Sequence, residues 1–454
     1  MKKSILLLAV SIFSFASINA QNNDTIKLSL DFPLLDFPYQ NHASLTTGTF
    51  LKSFSNPSMN QSLQISTDLY SSLNYGVKSI IKVKNKKLDW ALTQLTAGAV
   101  DYLFQTMPLG VAWQHEEYHR AVFAKNHISS YNEVYEMKIF APAIFVSHVA
   151  DEDLIRLNNT NNADFRRLNS AGNESTIAQL QLMQKNNFFN NSELPNLLHY
   201  WVSALGNSGY IKSTSSEAAN QGIDDETNAE STDISTRDFT GPDYSAWAYA
   251  LFNPTTPYEN RGPHPSGVGI YRSIRPNQLS AEALTYLSRQ GNLSYLNLIS
   301  PHMFGFNGFK IAENKKGSYY GNFAVRHGLT PFGNDISLDV FLKTPNNKLL
   351  FTVHNYNNHQ TSFFGAEASI IDKSFKNKDW LFSGTAHLWL QPENQDFYSA
   401  VQEFGGALKL KATYNKYKLK PYIELTSKTD GWVQTNVFLE QNRGVSFGLR
   451  MDVR

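Results

Sequence analysis

The sequence contains no cysteine and carries almost no net charge. The absence of cysteine from 454 residues excludes a disulfide scaffold, thiolate metal ligands and cysteine nucleophiles. Forty lysine and arginine residues against 39 aspartate and glutamate residues give a net charge of +1, so the composition offers no basis for binding nucleic acid. Charged residues make up only 17% of the chain, whereas phenylalanine (30) and tyrosine (22) are frequent. This balance is too apolar for a disordered chain and suits a protein of the cell envelope.

The first twenty residues have the composition of a secretory signal peptide. Lys2 and Lys3 give a positively charged start, residues 5–15 form an apolar run, and the small residue Ala20 provides a cleavage site before Gln21. The apolar run is too short to span a bilayer, and polar residues follow it. We therefore predict that the chain is exported and that residues 1–20 are removed as a signal peptide.

The rest of the chain divides into regions of different periodicity. Residues 21–60 are predicted to be N-terminal strands or a linker, residues 61–305 a helical region, and residues 306–454 the strands of an antiparallel β-barrel. Within the helical region, residues 213–238 are rich in serine, threonine, asparagine and acidic residues, which predicts a mobile loop.

One apolar stretch in the helical region, residues 91–113, is long enough to span a bilayer. It contains Asp101, and a carboxylate near the centre of a membrane is costly. It also contains Pro108, which cannot donate the backbone hydrogen bond of a regular helix. The sequence therefore predicts a buried helix kinked at Pro108 rather than a helix that faces lipid.

From about residue 317 the apolar residues recur at every second position, which is the period of a β-strand. Leu338 and Val340, for example, alternate with Ser337 and Asp339. About eight such runs follow, roughly nine to eleven residues long and separated by turn-rich stretches. Aromatic residues lie near the ends of several runs. The pattern predicts apolar side chains on one face of the sheet and polar side chains on the other.

This C-terminal third resembles the outer-membrane β-barrel proteins of Gram-negative bacteria. The resemblance implies a closed sheet in the outer membrane, with apolar side chains towards lipid and polar side chains inside, because closure satisfies every backbone group in the bilayer. A soluble antiparallel sandwich is the alternative. Its strands alternate in the same way but are usually shorter.

The motif that carries chemistry is His115-Glu116-Glu117-Tyr118-His119, an HExxH sequence. Residues four apart share one face of a helix, so both imidazoles can reach one Zn²⁺ ion. Glu116 stands between them as a general base for an attacking water. The motif follows an apolar stretch and continues into residues that favour a helix, as this chemistry requires. An exposed polar turn of an amphipathic helix, with the same side chains solvated and idle, is the competing interpretation.

In these five residues the sequence resembles the zincin metallopeptidases. The resemblance implies that His115 and His119 bind zinc and that Glu116 is the catalytic base. It covers the motif and its helix and extends no further along the chain.

A catalytic zinc also needs a third protein ligand and an open position. A glycine and a third histidine at the spacing of one zincin subgroup are absent after His119. Another subgroup takes a glutamate from a later helix, and Glu174, which follows the small residues Ala171 and Gly172, is the predicted third ligand. The alternative for Glu174 is an ordinary acidic residue in the first turn of a helix, where it interacts favourably with the helix dipole.

Together these features predict an α+β protein, with a helical region that carries the HExxH motif followed by an antiparallel, transmembrane β-barrel. The predicted function is zinc-dependent hydrolysis of a peptide or protein at the outer membrane, with membrane lipid as a partner and no nucleic acid. The alternative is a non-enzymatic outer-membrane β-barrel, either a pore or a structural protein, with a helical plug. The sequence contains no phosphate-binding loop, dinucleotide fingerprint or nucleophile elbow.

Overall fold

The computed structural model describes residues 28–43, 56–136, 144–190, 196–375 and 379–453. The predicted signal peptide, residues 1–20, lies outside these ranges. Among the helices so described, none is both long enough and apolar enough to cross a membrane.

The helices belong almost entirely to the part of the chain before residue 300. In chain order they are α1 (Tyr39–Ala43), α2 (Met59–Ile80), α3 (Lys86–Phe104), α4 (Val111–Lys125), α5 (Asp151–Thr160), α6 (Asn162–Asn190), α7 (Leu197–Ser213), α8 (Ala219–Ala229), α9 (Asp243–Phe252) and α10 (Ala281–Leu293). Short 3₁₀ segments lie at Glu133–Glu136, Ile234–Thr236, Tyr258–Arg261, Pro276–Gln278, Ser294–Leu298, Pro301–Phe304 and Glu393–Gln395.

The strands form one large sheet and one small ribbon. In chain order they are β1 (Leu28–Phe37), β2 (Tyr131–Asn132), β3 (Val146–Ser147), β4 (Phe309–Asn314), β5 (Gly317–Thr330), β6 (Gly333–Lys343), β7 (Lys348–Asn357), β8 (Ser362–Ser374), β9 (Trp380–Pro392), β10 (Gln402–Tyr414), β11 (Leu419–Lys428) and β12 (Asn442–Val453). The eight strands predicted between residues 317 and 454 are therefore confirmed as β5 to β12.

The large sheet is antiparallel, in the order β1-β12-β11-β10-β9-β8-β7-β6-β5-β4. The N-terminal strand β1 joins its end by pairing with β12, so that Leu28 lies opposite Val453 and Phe37 opposite Val445. The α+β class is thereby confirmed. The predicted closure is not found, because within the described ranges no ladder joins β1 to β4 and these strands remain the two edges of the sheet.

The two faces of the sheet have opposite character. In β6, Ser337 and Asp339 are buried, whereas Leu338 and Val340 are each 40% exposed. The same alternation runs through the other strands and leaves a band of large apolar side chains exposed on the outer face: Phe323, Phe351, Val353, Phe364, Phe382, Leu388, Phe404, Leu408, Leu410, Leu419, Ile423, Leu425 and Phe447. The period of two has therefore placed the exposed apolar residues on the outer face, while the inner face combines polar residues with buried aromatic residues such as Phe341 and Trp389.

The longest helix, α6, links the helical region to the sheet. Near its start, Arg166 donates to the backbone oxygens of Pro331 and Gln395, beside the turns at one end of the sheet. At its other end, Asn190 accepts from the Nζ of Lys348 at the start of β7. Its 29 residues span about 43 Å at 1.5 Å per residue. The helix thus runs along the inside of the sheet from one end to the other.

Two predictions for the helical region need correction. The predicted loop at residues 213–238 contains helix α8, because Ile223 and Thr227 lie one turn apart and are both buried against the rest of the protein. The stretch from residue 91 to residue 113 is two helices rather than one kinked helix. Helix α3 ends at Phe104 and α4 begins at Val111, and Pro108 lies in the connection.

Candidate metal centre

The HExxH motif lies on α4, as the sequence predicts. The C-terminal half of this helix anchors it, because Ala121, Val122 and Phe123 are fully buried in the main core of the helical region. The ring centroids of His115 and His119 are 5.0 Å apart. The two imidazoles therefore face the same side of α4, one turn apart.

A carboxylate that the sequence analysis did not select completes the cluster. Asp243, the first residue of α9, places Oδ2 3.0 Å from Nε2 of His115 and Oδ1 3.6 Å from Nε2 of His119. One ligand atom from each of these three residues lies within 4.8 Å of the others. The side chain of His119 is 1% exposed, that of Asp243 7% and that of His115 18%. The cluster is buried and open to solvent on the side of His115.

The chain conformation before α9 explains how Asp243 reaches the histidines. Gly241 has a φ of +66°, and a Cβ atom there would lie 2.3 Å from Oγ of Ser273. Glycine is thus required by both the conformation and the space. Pro242 then precedes the helix, and Asp243 occupies its first turn, where a negative charge interacts favourably with the helix dipole.

The hydrogen bond made by His119 fixes which of its nitrogens is available. Nδ1 lies 2.6 Å from the backbone oxygen of Leu168, which can only accept, so Nδ1 carries the proton. Nε2 then presents a lone pair towards the cluster. It is a buried atom that makes no hydrogen bond within the described structure. A metal ion bound at Nε2 would satisfy this atom, and a ligating histidine normally has just such a carbonyl partner on its other nitrogen.

A glycine on the neighbouring helix α6 allows His115 to fit. A Cβ atom at Gly172 would lie 2.1 Å from both Cε1 and Nε2 of His115. Any side chain at this position would therefore occupy the space of the imidazole. The small-residue stretch around Gly172 thus allows the close approach of α4 and α6 at His115.

Glu116 lines the same cavity as His115 and Asp243. Its side chain is 6% exposed. Burial, together with the negative charges of Asp243, Asp238 and Glu117, raises the pKa of Glu116 well above its ordinary value. Burial also raises the pKa of Asp243, but the two histidine rings lower it by more, so that the net pKa is below its usual range. The environment of the site therefore raises the pKa of Glu116 and lowers the pKa of Asp243.

Glu174, the predicted third ligand, lies elsewhere. Its carboxylate is 2.9 Å from Nη2 of Arg167 and accepts hydrogen bonds from the backbone N–H of Thr435, at 2.7 Å, and the indole N–H of Trp432, at 3.3 Å. Gly172 and Glu174 are two residues apart, which is about 200° around a helix. Because Gly172 faces His115, Glu174 faces away from the histidines and towards the loop before β12.

Tyr210, on α7, is a second residue of the site that the sequence analysis missed. Its hydroxyl group donates to Oδ2 of Asp243 and accepts from the backbone N–H of the same residue, both at 3.3 Å. Its ring centroid is 6.4 Å from that of His115. Tyr210 is thus a positioning residue for the Asp243 carboxylate. The only signal in the sequence is an aromatic residue in a helix otherwise rich in small residues.

The candidate metal centre opens into a cavity of about 670 Å³. One end contains His115, Glu116 and Asp243, and the other extends between α3 and α7 to Tyr102 and Val202. This volume is within the range of small-molecule and peptide sites.

Comparison with known proteins identifies no relative. A scan against protein-family models, a search of curated proteins and a search of solved structures find no match for this chain. The resemblance to the zincin metallopeptidases therefore depends on residues 115–119 alone. What the site does has to be inferred from the chemistry and geometry of its own residues.

Proposed function

We propose that this protein is a zinc-dependent hydrolase of peptide bonds that is held in the outer membrane. The observation that carries the proposal is the convergence of His115, His119 and Asp243 on one point, with Glu116 in the same cavity. Two histidines, one carboxylate and an open fourth position are the ligand set typical of catalytic zinc.

The residues of the cluster fit a metal ion by a simple geometric test. Ligand atoms about 2.0 Å from a tetrahedral zinc ion stand about 3.3 Å from each other. Asp243 places one carboxylate oxygen, Oδ2, 3.0 Å from Nε2 of His115 and the other, Oδ1, 3.6 Å from Nε2 of His119, and both separations are close to that distance. The unsatisfied Nε2 atom of His119 supports the same assignment. When bound, zinc would supply Lewis-acid chemistry, polarising the substrate carbonyl and making water a stronger acid.

The side chains of the site have separate roles in this reaction. Glu116 accepts a proton from the attacking water and later gives it to the leaving amine. The water oxygen adds to the carbonyl carbon, the C–N bond breaks, and one acid and one amine are released. Tyr210 holds the carboxylate of Asp243 in orientation. A hydrogen bond of this kind around a metal ligand typically contributes 10- to 100-fold in metal affinity or activity.

The placement in the outer membrane rests on the sheet. Strands β5 to β12 have 10 to 14 residues, close to the 9–11 that a tilted strand needs to span the hydrocarbon core. Most of their exposed side chains are apolar, while charged residues such as Arg326 and Asp339 are buried inside. A water-soluble sheet has the opposite arrangement, so lipid is the solvent that suits this surface.

The test combines metal content with hydrolysis of a quenched-fluorescent peptide library by the detergent-purified full chain. We expect about one zinc per chain, measured by mass spectrometry, and its loss in His115→Ala, His119→Ala and Asp243→Asn. Glu116→Gln should keep the zinc and lose hydrolysis by at least about 100-fold. Glu152→Gln, at an exposed position of α5, is the matched control and should behave as wild type.

Two results would overturn the proposal. A wild-type protein without stoichiometric metal after purification in zinc-containing buffer would remove the metal centre. Unchanged hydrolysis in a zinc-loaded Glu116→Gln preparation would remove the catalytic role. Either result would favour the alternative of a non-enzymatic outer-membrane protein, in which α6 fills the inside of the sheet as a plug.

A further inference from the structure

Helices lie between the edge strand β1 and strand β5, which is the neighbour of the other edge strand, β4. Strand β1 packs against α2, α2 against α3, and α3 against α7. Helix α7 packs in turn against the 3₁₀ segment Ser294–Leu298, which packs against β5. Three helices and this segment therefore continue the wall that the sheet begins.

Helix α3 in this wall exposes apolar side chains and buries polar ones. Its exposed side chains are mainly apolar: Leu88 (49% exposed), Leu92 (38%), Leu95 (64%), Tyr102 (64%) and Leu103 (52%). Its buried face contains polar residues instead, namely Thr93, Gln94 and Asp101. Asp101 accepts a hydrogen bond from Asn74 of α2. A helix on the surface of a water-soluble protein shows the opposite pattern.

The apolar face of α3 continues around the molecule. Helix α7 exposes Val202 and Leu205, and residues 197–211 of α7 contain no lysine, arginine, aspartate or glutamate. The segment after α10 exposes Ile299, Phe304 and Phe306, and the edge strand β4 exposes Phe309 and Ile311. The helical part of the wall therefore exposes large apolar side chains, as the outer face of the sheet does. The hydrocarbon of a bilayer is a solvent that suits both the helical part of the wall and the outer face of the sheet.

A basic segment marks one end of the apolar face. Lys82, Lys84, Lys86 and Lys87 are all exposed in the connection from α2 into the first turn of α3. Lysines at the border of an apolar surface interact favourably with anionic lipid headgroups, and each contributes to holding the surface in the membrane. This charge complementarity selects a lipid bilayer, rather than a second protein, as the partner of the face.

The cavity of the metal centre opens onto this apolar face. Tyr102 of α3 and Val202 of α7 line the cavity and are also 64% and 56% exposed. Between them and the metal centre, α7 presents Gly206, where an added Cβ would meet nothing within 4 Å. A slot between α3 and α7 thus leads from the proposed lipid surface to His115.

From these observations we propose that the substrate is a peptide anchored in the membrane by an acyl chain, which reaches the metal centre sideways through the slot between α3 and α7. The inference rests on the proposed function and adds the substrate class and its route. Hydrolysis adds water across one amide bond and leaves the acylated fragment in the membrane and the other fragment free.

The geometry also predicts where the bond is cut. Val202 at the mouth and Tyr210 at the metal centre are eight residues apart on α7, or about 12 Å at 1.5 Å per residue. An extended peptide covers this distance with three to four residues at about 3.3–3.6 Å each. The scissile bond should therefore lie about three to four residues from the acyl anchor.

The test uses the zinc-loaded full chain in vesicles of phosphatidylethanolamine and phosphatidylglycerol. Two quenched-fluorescent peptides of identical sequence are compared, one with an N-terminal palmitoyl group and one without. We expect kcat/KM to be at least tenfold higher for the palmitoylated peptide. We also expect Gly206→Leu, which fills the slot, to lower that value at least tenfold. Because acylation alone concentrates a peptide at the vesicle, the effect of Gly206→Leu is the decisive one.

Gly209→Leu is the matched control. Gly209 is on the same helix, also has nothing within 4 Å of an added Cβ, and does not line the cavity. This variant should cleave both peptides as wild type does, and both variants should bind zinc normally. As a readout independent of turnover, a palmitoyl peptide with a photoreactive acyl chain should crosslink to residues of α3 or α7 in Glu116→Gln and much less in Glu116→Gln combined with Gly206→Leu.

The outcomes separate the two proposals. Equal cleavage of both peptides, with no effect of Gly206→Leu, would overturn delivery from the membrane and leave the hydrolase intact. Crosslinking that is unaffected by Gly206→Leu would overturn the slot as the route. Cleavage of neither peptide by the zinc-loaded wild type would overturn the hydrolase and, with it, this inference.

Discussion

The helical region and the sheet differ in where their apolar side chains lie. Around α4 to α6 apolar residues such as Leu154 are almost fully buried, beside buried ion pairs such as that of Arg167 with Glu174. Inside the sheet, charged pairs such as that of Arg326 with Asp339 are buried beside aromatic residues, and most of the exposed residues of the outer face are apolar. The comparison teaches that both regions bury charge in pairs, and that the exposed apolar face is what distinguishes the sheet from the core around α4 to α6. Each region can be tested by the substitutions that its own interior should not tolerate.

The largest effect is expected where a charge inside the sheet loses its partner. Asp339 accepts hydrogen bonds from Nε and Nη2 of Arg326, at 2.6 Å and 2.7 Å. Asp339→Ala leaves this guanidinium buried and unpaired, and should lower the free energy of unfolding by about 3–5 kcal/mol. Urea unfolding in detergent, followed by tryptophan fluorescence, measures the change. Asp153→Ala, which removes the exposed partner of Arg156, should cost no more than about 1 kcal/mol. Equal costs would show that the inside of the sheet is hydrated.

A somewhat smaller loss is expected from a cavity in the helical core. Leu154 is 0% exposed, and Leu154→Ala should lower the free energy of unfolding by about 2–5 kcal/mol, because it removes apolar contacts that the surroundings cannot fully replace. The same urea titration applies. Val268→Ala, at a 43% exposed position, should stay within about 0.5 kcal/mol of wild type. A negligible cost at Leu154 would mean that the helical region lacks a well-packed core.

The third prediction concerns the outer face of the sheet. Val340 is 40% exposed in the middle of β6, and Val340→Arg should disfavour folding into lipid vesicles by about 2–4 kcal/mol if the position lies near the bilayer centre. Asn346→Arg, in the turn after β6, should cost only about 0–1 kcal/mol. Folding yields in vesicles across a urea series give both numbers. An equally small cost at Val340 would indicate that the outer face meets water.

The smallest effect is expected at the contact between the two regions. Ser58 caps α2 by accepting from the backbone N–H of Gln61, and its hydroxyl group donates to Asp36 of β1. Ser58→Ala should lower the free energy of unfolding by about 1–2 kcal/mol, since it removes a helix cap and a donor to the half-buried carboxylate of Asp36. Ser280→Ala removes the cap of α10 without a link to the sheet and should cost about 1 kcal/mol or less. If Ser280→Ala cost more, Ser58 would have no role beyond its own helix.

The parts of this structure that sequence could predict are those fixed by local spacing. The strand pattern from residue 317 and the helical pair His115 and His119 depend on periods of two and four residues, which are read directly from the chain. Asp243 lies 128 positions after His115 and reaches it only through the packing of α4, α6 and α9. The small-residue stretch at Ala171 and Gly172 instead predicts Glu174 as the third ligand. The stretch does allow a close approach, but Gly172 is the residue that faces His115, and the carboxylate of Glu174 points the other way.

The elements that lie between β1 and β5 could not be predicted from the sequence either. A band of exposed apolar residues predicts a lipid-facing surface but not which elements form it. The apolar stretch at residues 91–113 predicts a buried helix, and this prediction is wrong for α3, where Leu95, Tyr102 and Leu103 are exposed. Only the packing of α2, α3 and α7 between β1 and β5 shows that the apolar face is the outer one.

The pairing of β1 with β12 has a consequence for the order of assembly. Leu28 lies opposite Val453, so the ladder joins the two ends of the described chain. Bringing such distant segments together costs about 4 kcal/mol more in chain entropy than closing a hairpin with a loop of four residues. We therefore expect the consecutive hairpins from β5 to β12 to form early and the β1–β12 ladder to form late. Until that step one edge of β12 is unpaired, and a helper protein that shields strand edges would bind there.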